Sequence, residues 1–313
     1  MSEIVLQQTR IDQGLPYYQR FVESFPTVTA LANASEDTVL KHWEGLGYYS
    51  RARNLHATAK YISEQLNGKF PEQYNELLKL KGVGPYTAAA ISSICFDEAA
   101  PVIDGNVFRF VSRFFGISED ISQAKTRNVF LKVLNELIDK EQPGEFNQAI
   151  MEFGATVCKP SPDCEHCIFR QECYAYQHKA QKHLPVKLSK PTIQEKYFHY
   201  FVIECEGRFL MKQRKASIWK GLYEFLLFEG GNNLDSNDYP FDHNKARFIQ
   251  TSDKFRHLLT HRIIWLQFYH YTVGEKYFSY LMNEFDLQPY SYEEVLTLPK
   301  PKSIINYLQQ VSF

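Results

Sequence analysis

The sequence predicts a multidomain chain, with an all-α unit over the first half and a smaller α+β unit after about residue 196. Three observations carry that reading. Up to about residue 173 apolar residues recur three and four apart. From Tyr197 the texture changes to aromatic and β-branched runs separated by short polar breaks. At 313 residues the chain exceeds one ordinary domain. Hydrophobic residues make up 44% and charged residues 23%, so each unit has apolar side chains for a core and disorder on a large scale is excluded.

In chain order, "EDTVLKHWEGL" from Glu36, "NLHATAKYISEQL" from Asn54 and "KTRNVFLKVLNELI" from Lys125 carry the helical period. "YFHYFVIEC", "RFLMKQR", "LYEFLLF", "IIWLQFYHYTV" and "YFSYLM" have strand texture, and "SIINYLQQV" reads as a closing helix. Between the two halves, "HKAQKHLPVKLSKP" from His178 to Pro191 is basic and proline-punctuated, with no apolar period. It reads as a solvated tether whose lysines also suit a phosphate backbone.

The formal net charge is -1, so any nucleic-acid binding must come from locally placed groups rather than bulk charge. No apolar run approaches the ~20 residues of a membrane span, and the N-terminus lacks a basic start followed by an apolar core. A cytoplasmic protein with no membrane partner is expected. Cys95 and Cys205 stand alone, whereas Cys158-x5-Cys164-x2-Cys167-x5-Cys173 packs four soft thiols together. In a reducing compartment such a set favours metal over disulfides, and its spacing alone leaves zinc and an iron–sulfur cluster both open.

"LKGVGPYTAAA", residues 78 to 88, is a glycine turn opening a helix. Gly82 and Gly84 allow positive φ on both sides of Val83, which is then free to tuck into the core. The helix N-terminus that follows suits one phosphate oxygen, without sequence readout. A plain helix–helix corner is the alternative. Asp104 in "VIDGNVFRF" has the look of a helix cap, and "GLGYY" that of a glycine-rich turn over a buried aromatic pair.

The longer frame Leu80-x-Gly-Val-Gly-x-x-Thr-Ala resembles the helix-hairpin-helix of base-excision DNA glycosylases. "SEIVLQQTR" from Ser2, "GLGYYSRARNL" from Gly45, "VIDGNVFRF" from Val102, "FNQAIMEFGATVC" from Phe146 and the cysteine cluster extend the likeness over nearly the whole chain. Together they resemble the adenine DNA glycosylases, which remove adenine mispaired with 8-oxoguanine. The resemblance implies a helix-hairpin-helix core over residues 1–175, with an iron–sulfur loop at 158–173. A linker over 176–195 and a Nudix-like, 8-oxoguanine-reading domain over 196–313 would follow.

It also implies the roles. Glu3, shielded from water, would protonate adenine N7 and then help activate water. Asp104 would face the oxocarbenium-like sugar, with Asn106 and Tyr86 orienting the pair. Sister enzymes that also cut the backbone carry a lysine where Tyr86 stands; a phenol forms no Schiff base, so a glycosylase without lyase activity is implied. Gln7 and Gln8 would touch the opposed strand and Tyr48 would wedge beside 8-oxoguanine, replacing the stacking lost when adenine flips. Gly82, Val83 and Gly84 would hold the backbone. Arg51 and Arg53 would be phosphate contacts or ordinary solvated arginines, and Lys159 and Arg170 would meet DNA from the loop.

Cys158, Cys164, Cys167 and Cys173 would hold a [4Fe-4S] cluster, although "KPSPD" supplies five residues where the family usually has six. In the C-terminal domain Leu259, Thr260 and His261 stand where the family has Phe-Ser-His, and the metal-binding helix of Nudix hydrolases is missing. The expected partner is duplex DNA with an A:8-oxoguanine or A:G mispair, bound by a monomer near the nucleoid. The family's Leu-Pro-Trp segment ahead of Glu3 is not in this sequence, so a mispair binder impaired in excision is the second expectation.

Overall fold

A computed structural model describes residues 1–188, 193–216 and 218–311. The helices before the sheet are α1 (Ser2–Val5), α2 (Ile11–Ser24), α3 (Val28–Asn33), α4 (Glu36–His42), α5 (Ser50–Gln65), α6 (Tyr74–Leu77), α7 (Pro85–Phe96), α8 (Gly105–Phe115), α9 (Thr126–Leu137), α10 (Pro143–Thr156) and α11 (Tyr174–Gln177). After them come β1 (Gln194–Cys205), β2 (Arg208–Gln213), β3 (Tyr223–Glu224), β4 (Leu226–Gly230), β5 (Ala246–Thr251), β6 (Phe255–Leu259), β7 (Arg262–Val273), α12 (Glu275–Glu284), β8 (Gln288–Ser291), α13 (Tyr292–Thr297) and α14 (Lys302–Gln310). Among the described residues no helix is long and apolar enough to cross a membrane. Two compact units result, Met1–Gln8 with Ala57–Lys190, and Thr9–His56 with Pro191–Phe313. Residues 9–56, which the sequence groups with the helical half, thus share a unit with the sheet.

The first unit is helical. Thr87, Ala88, Ala89, Ala90, Ser92 and Ser93 are all buried on α7, so small side chains let α1, α6 and α10 pack close to its backbone. Val107 and Val111 of α8, Phe130 and Leu134 of α9 and Ile150 of α10 close the core. Helix α10 meets α8 at Gly154, where a Cβ would lie 2.7 Å from the Asn106 carbonyl oxygen and 2.9 Å from its Cβ. Only a hydrogen fits there.

The basic segment after α11 is not a solvated tether as far as it is described. Leu184 is buried, Ile121 donates its N–H to the Val186 carbonyl at 3.0 Å, and the Leu188 N–H reaches Asp120 Oδ1 at 3.3 Å. One buried leucine and a row of backbone donors and acceptors were enough to dock a segment without apolar period. Residues 189–192 of the expected linker lie outside the described residues.

The second unit is built on one sheet ordered β3-β2-β1-β7-β5. β4 also pairs with β1, β6 with β7 and β8 with β2. β1 and β7 run parallel over eleven residue pairs, and the other pairings are antiparallel. Alternation along β1 sends Phe201, Ile203 and Cys205 to a core shared with Phe278 and Leu281 of α12. Tyr200 faces the other way and stacks on Phe268, which itself stacks on Tyr307 of α14 at 4.2 Å. The strand reading of "YFSYLM" is corrected, because those residues lie within α12, with Phe278 and Leu281 inward and Tyr277 stacked on Tyr280 outside. "LYEFLLF" is two strands rather than one, broken at Phe225.

Replacing Gly154 by alanine should destabilise the protein by about 1–3 kcal/mol, since α10 or the start of α8 must shift. Denaturant titration of the variant against the wild type reads this, and an unchanged midpoint would show that the two helices separate freely.

Candidate active site

Four of the residues singled out in the sequence meet in the first unit. Asp104 is the N-cap of α8: its Oδ1 accepts the amides of Asn106 at 2.9 Å and Val107 at 2.7 Å, and its Oδ2 accepts Asn106 Nδ2 at 2.9 Å. Three N–H donors at the positive end of an eleven-residue helix suit a negative charge at that point. The Tyr86 hydroxyl, from the first turn of α7, lies 3.3 Å from Glu3 Oε2 and 3.5 Å from Met151 Sδ. Burial pushes the Tyr86 phenol up, and the nearby charges of Glu3 and Asp104 add to it, so the phenol is a neutral donor set among two carboxylates. One carboxylate accepts three N–H groups. The other, half-buried on α1, is held by a hydroxyl. That pairing suits a proton donor beside a fixed anion.

Glycine is needed at only one side of the hairpin. Gly82 has φ +83, whereas Gly84 is an extended N-cap at φ -91, and Val83 between them is half-buried rather than tucked into the core. Positive φ at both glycines was a misreading, because a helix N-cap takes extended backbone. A Cβ on Gly84 would meet nothing within 4 Å, so the start of α7 opens outward. Gln7 Nε2 donates to Thr87 Oγ1 at 2.9 Å, anchoring the segment after α1 to the same turn. Gln8 beside it is exposed at φ +53.

Tyr48, Thr260 and His261 belong to the second unit. Thr260 and His261 form the two-residue turn between β6 and β7, closed by the pairing of Leu259 with Arg262. The Tyr48 hydroxyl lies 3.1 Å from Thr260 Oγ1. "GLGYY" is not a buried pair: Tyr49 is buried, while Tyr48 is 46% exposed at φ +49, a left-handed backbone that costs a non-glycine residue about 1–2 kcal/mol. Arg51 is buried, which removes it from the phosphate contacts expected of it. Arg53 is half-buried, with its guanidinium on the Lys220 carbonyl.

Cys158, Cys164, Cys167 and Cys173 line one cavity in the first unit, beside Phe110, Phe114, Phe153 and Phe169. These rings pack at centroid distances of 4.7–5.8 Å, a dry wall behind the thiols. Burial pushes the Cys164 thiol up, and the other three sulfurs raise it further. Among the described residues no three His, Cys, Asp or Glu side chains are grouped closely enough to hold a metal ion. On this loop Lys159 is exposed and Arg170 half-buried, with its guanidinium on the Glu165 carbonyl at 3.0 Å.

Two arginines that the sequence reading passed over hold the loop. Arg109 donates to Asn106 Oδ1 at 2.8 Å, to the Gly154 carbonyl at 2.6 Å and to the Cys158 carbonyl at 2.7 Å. Arg113, one turn on and buried, reaches Cys158 Sγ at 3.4 Å and the carbonyls of Lys159, Pro160 and Leu184. The signal was there: two arginines four apart in the apolar helix "GNVFRFVSRFF" must find acceptors inside.

Residues 1–136 match the model of the HhH-GPD superfamily base excision DNA repair proteins. The chain is 35% identical over 269 residues to the adenine DNA glycosylase of Buchnera aphidicola subsp. Schizaphis graminum, covering 84% of this chain and 78% of that protein. To the human adenine DNA glycosylase it is 42% identical over 186 residues, 59% of this chain and 34% of the human one. A solved non-covalent endonuclease III–DNA complex superposes with a TM-score of 0.50 at 26% identity, over 57% of this chain and 84% of that one.

Removing the cap should be separable from removing the charge. Asp104→Ala should lower stability by about 1 kcal/mol, and Asp104→Asn, whose amide oxygen still caps, by clearly less. Thermal unfolding of both variants measures the difference; equal losses would mean that capping is not what fixes residue 104.

Proposed function

The chain belongs to the adenine DNA glycosylase family, and we propose that it hydrolyses the N-glycosidic bond of adenine opposite 8-oxoguanine or guanine in duplex DNA. The observation that carries this reading is the cluster of Glu3, Tyr86 and Asp104.

Glu3 gives its proton to N7 of the flipped adenine, and the C1′–N9 bond breaks with its electron pair leaving on the base. The positive charge left on the sugar faces Asp104, whose place at the α8 N-terminus keeps a carboxylate fixed there. Tyr86 holds the Glu3 carboxyl, and Asn106 holds Asp104. Water then adds at C1′ and passes its proton to the Glu3 carboxylate, which restores the acid and leaves neutral adenine and an abasic site. With tyrosine rather than lysine at residue 86, no amine forms an imine with that site, so the strand stays intact.

Gln7, Gln8 and the turn at Gly82, Val83 and Gly84 hold the DNA. In the second unit, Tyr48 from residues 9–56 and Thr260 with His261 from the part read as a Nudix-like domain over 196–313 meet the base opposite adenine. Their joining by one hydrogen bond supports a shared task. Leu259 offers that base an apolar edge without an aromatic ring. The protein acts as a monomer on a duplex, close to the nucleoid.

Cys158, Cys164, Cys167 and Cys173 would hold a [4Fe-4S] cluster: four soft thiols lining one phenyl-walled cavity supply its donor set, and loading it would draw them closer together than they stand here. When bound it supplies cross-linking of the 158–173 loop. Arg109 and Arg113 hold the carbonyls of that loop in place on α8.

Purified protein on an A:8-oxoguanine duplex should yield abasic sites that break only after alkali. Strand breaks trapped by borohydride without alkali would overturn the role given to Tyr86. Glu3→Gln should lower single-turnover excision by about 10²–10⁴-fold, the usual weight of a general acid, while duplex binding persists. Equal rates would remove Glu3 from the chemistry. Iron and broad visible absorbance should accompany the pure protein, with loss of both in Cys164→Ser; zinc in their place would refute the cluster.

A further inference from the structure

We propose that Arg51 is a positioning residue for Tyr48, holding its ring in the orientation that meets the base opposite the excised adenine. The proposal rests on the role given to Tyr48 above. In sequence Arg51 has the look of a phosphate contact, three residues after an aromatic in a glycine-rich turn. The structure assigns it elsewhere, because the residue is only 8% exposed and its guanidinium runs back to Thr9 and the Gly47 carbonyl.

Three left-handed residues, Gly45 at φ +95, Gly47 at φ +80 and Tyr48 at φ +49, make the turn. The glycines accept this conformation freely and the tyrosine does not. Something must therefore hold the Gly47–Tyr48 peptide. Trp43 Nε1 donates to the Gly47 carbonyl at 2.9 Å, and Arg51 Nη2 approaches the same oxygen at 3.5 Å while donating to Thr9 Oγ1 at 3.1 Å. The Arg51 amide also donates to the Tyr48 carbonyl at 2.8 Å.

The guanidinium then lies 5.2 Å from the Trp43 ring and 5.3 Å from the Tyr48 ring, a cation between two aromatic faces. Burial pushes this guanidinium down to about 10, yet it stays charged at neutral pH and keeps its attraction for both rings. Tyr48 is thus fixed at two points, its ring by Arg51 and its hydroxyl by Thr260, while nearly half of it stays open to a base. A wedge locked before DNA arrives loses little rotamer freedom on binding.

The test is a double-mutant cycle of Arg51→Met and Tyr48→Ala, with Arg51→Lys alongside, read by single-turnover excision from A:8-oxoguanine and A:G duplexes. Binding of a duplex with non-cleavable 2′-fluoroadenosine opposite 8-oxoguanine is followed against salt. Arg51→Met should slow excision opposite 8-oxoguanine roughly tenfold, about what release of one left-handed residue is worth. In the Tyr48→Ala background it should add less than twofold. Arg51→Lys, which keeps the charge but not the planar fork, should lie between. The salt slope of binding should be unchanged, since no phosphate contact is lost.

Additive losses in the cycle, or a salt slope lowered by about one, would overturn the proposal. Should Arg51→Met fail to fold, Arg51→Lys completes the same cycle and slope. Failure of the Tyr48 reading shows separately, as Tyr48→Ala alone leaving both duplexes cleaved at wild-type rate.

Discussion

Helix α8 starts on a carboxylate, and the surroundings of the proposed reaction centre take their places from that cap. Asp104 binds two backbone amides and one side-chain amide of its own helix, so it cannot rotate away without leaving donors of the first turn unpaired. The Tyr86 hydroxyl reaches the same neighbourhood because α7 is faced with alanine and serine, and α10 closes on α8 because residue 154 has no side chain. Close approach at small residues is what lets two carboxylates and a phenol share one place. A bulkier helix would spread them.

The same helix then turns to a second task. Arg109 and Arg113 point the polar side of α8 at the first-cysteine loop and at Leu184, satisfying carbonyls that no regular element pairs. Loop and docked segment are irregular backbone: arginine forks hold the loop, and the segment is held by one of them together with buried Leu184 and its bonds to Ile121 and Asp120, not by apolar period.

Much of this was legible. The helical period over 126–137 and 302–310, the cap at Asp104 and the grouped cysteines all express local rules, a repeat of 3.6, an Asp before a helix, soft donors crowded together. The misses arose where tertiary context decides. "YFSYLM" carries the aromatics of a strand, but Phe278 and Leu281 stand three apart and bury one helical face. Gly84 has the company of a second flexible hinge but serves as an extended cap. Arg51 could not be distinguished from a surface arginine, since only the folded turn puts Trp43 and Tyr48 on either side of it.

Because residues 9–56 share a unit with the sheet, a ribosome makes one part of that unit well before the other. Lys41 waits for the carbonyls of Leu296 and Leu298, Arg53 for that of Lys220, and the amide of Lys300 for the Glu44 carboxylate. At ~5–20 residues per second of translation, that interval is on the order of ten seconds or more. During it the nascent N-terminal segment, with Tyr48 at its tip, lacks the partners that complete it, which makes it the stretch a chaperone has most reason to cover.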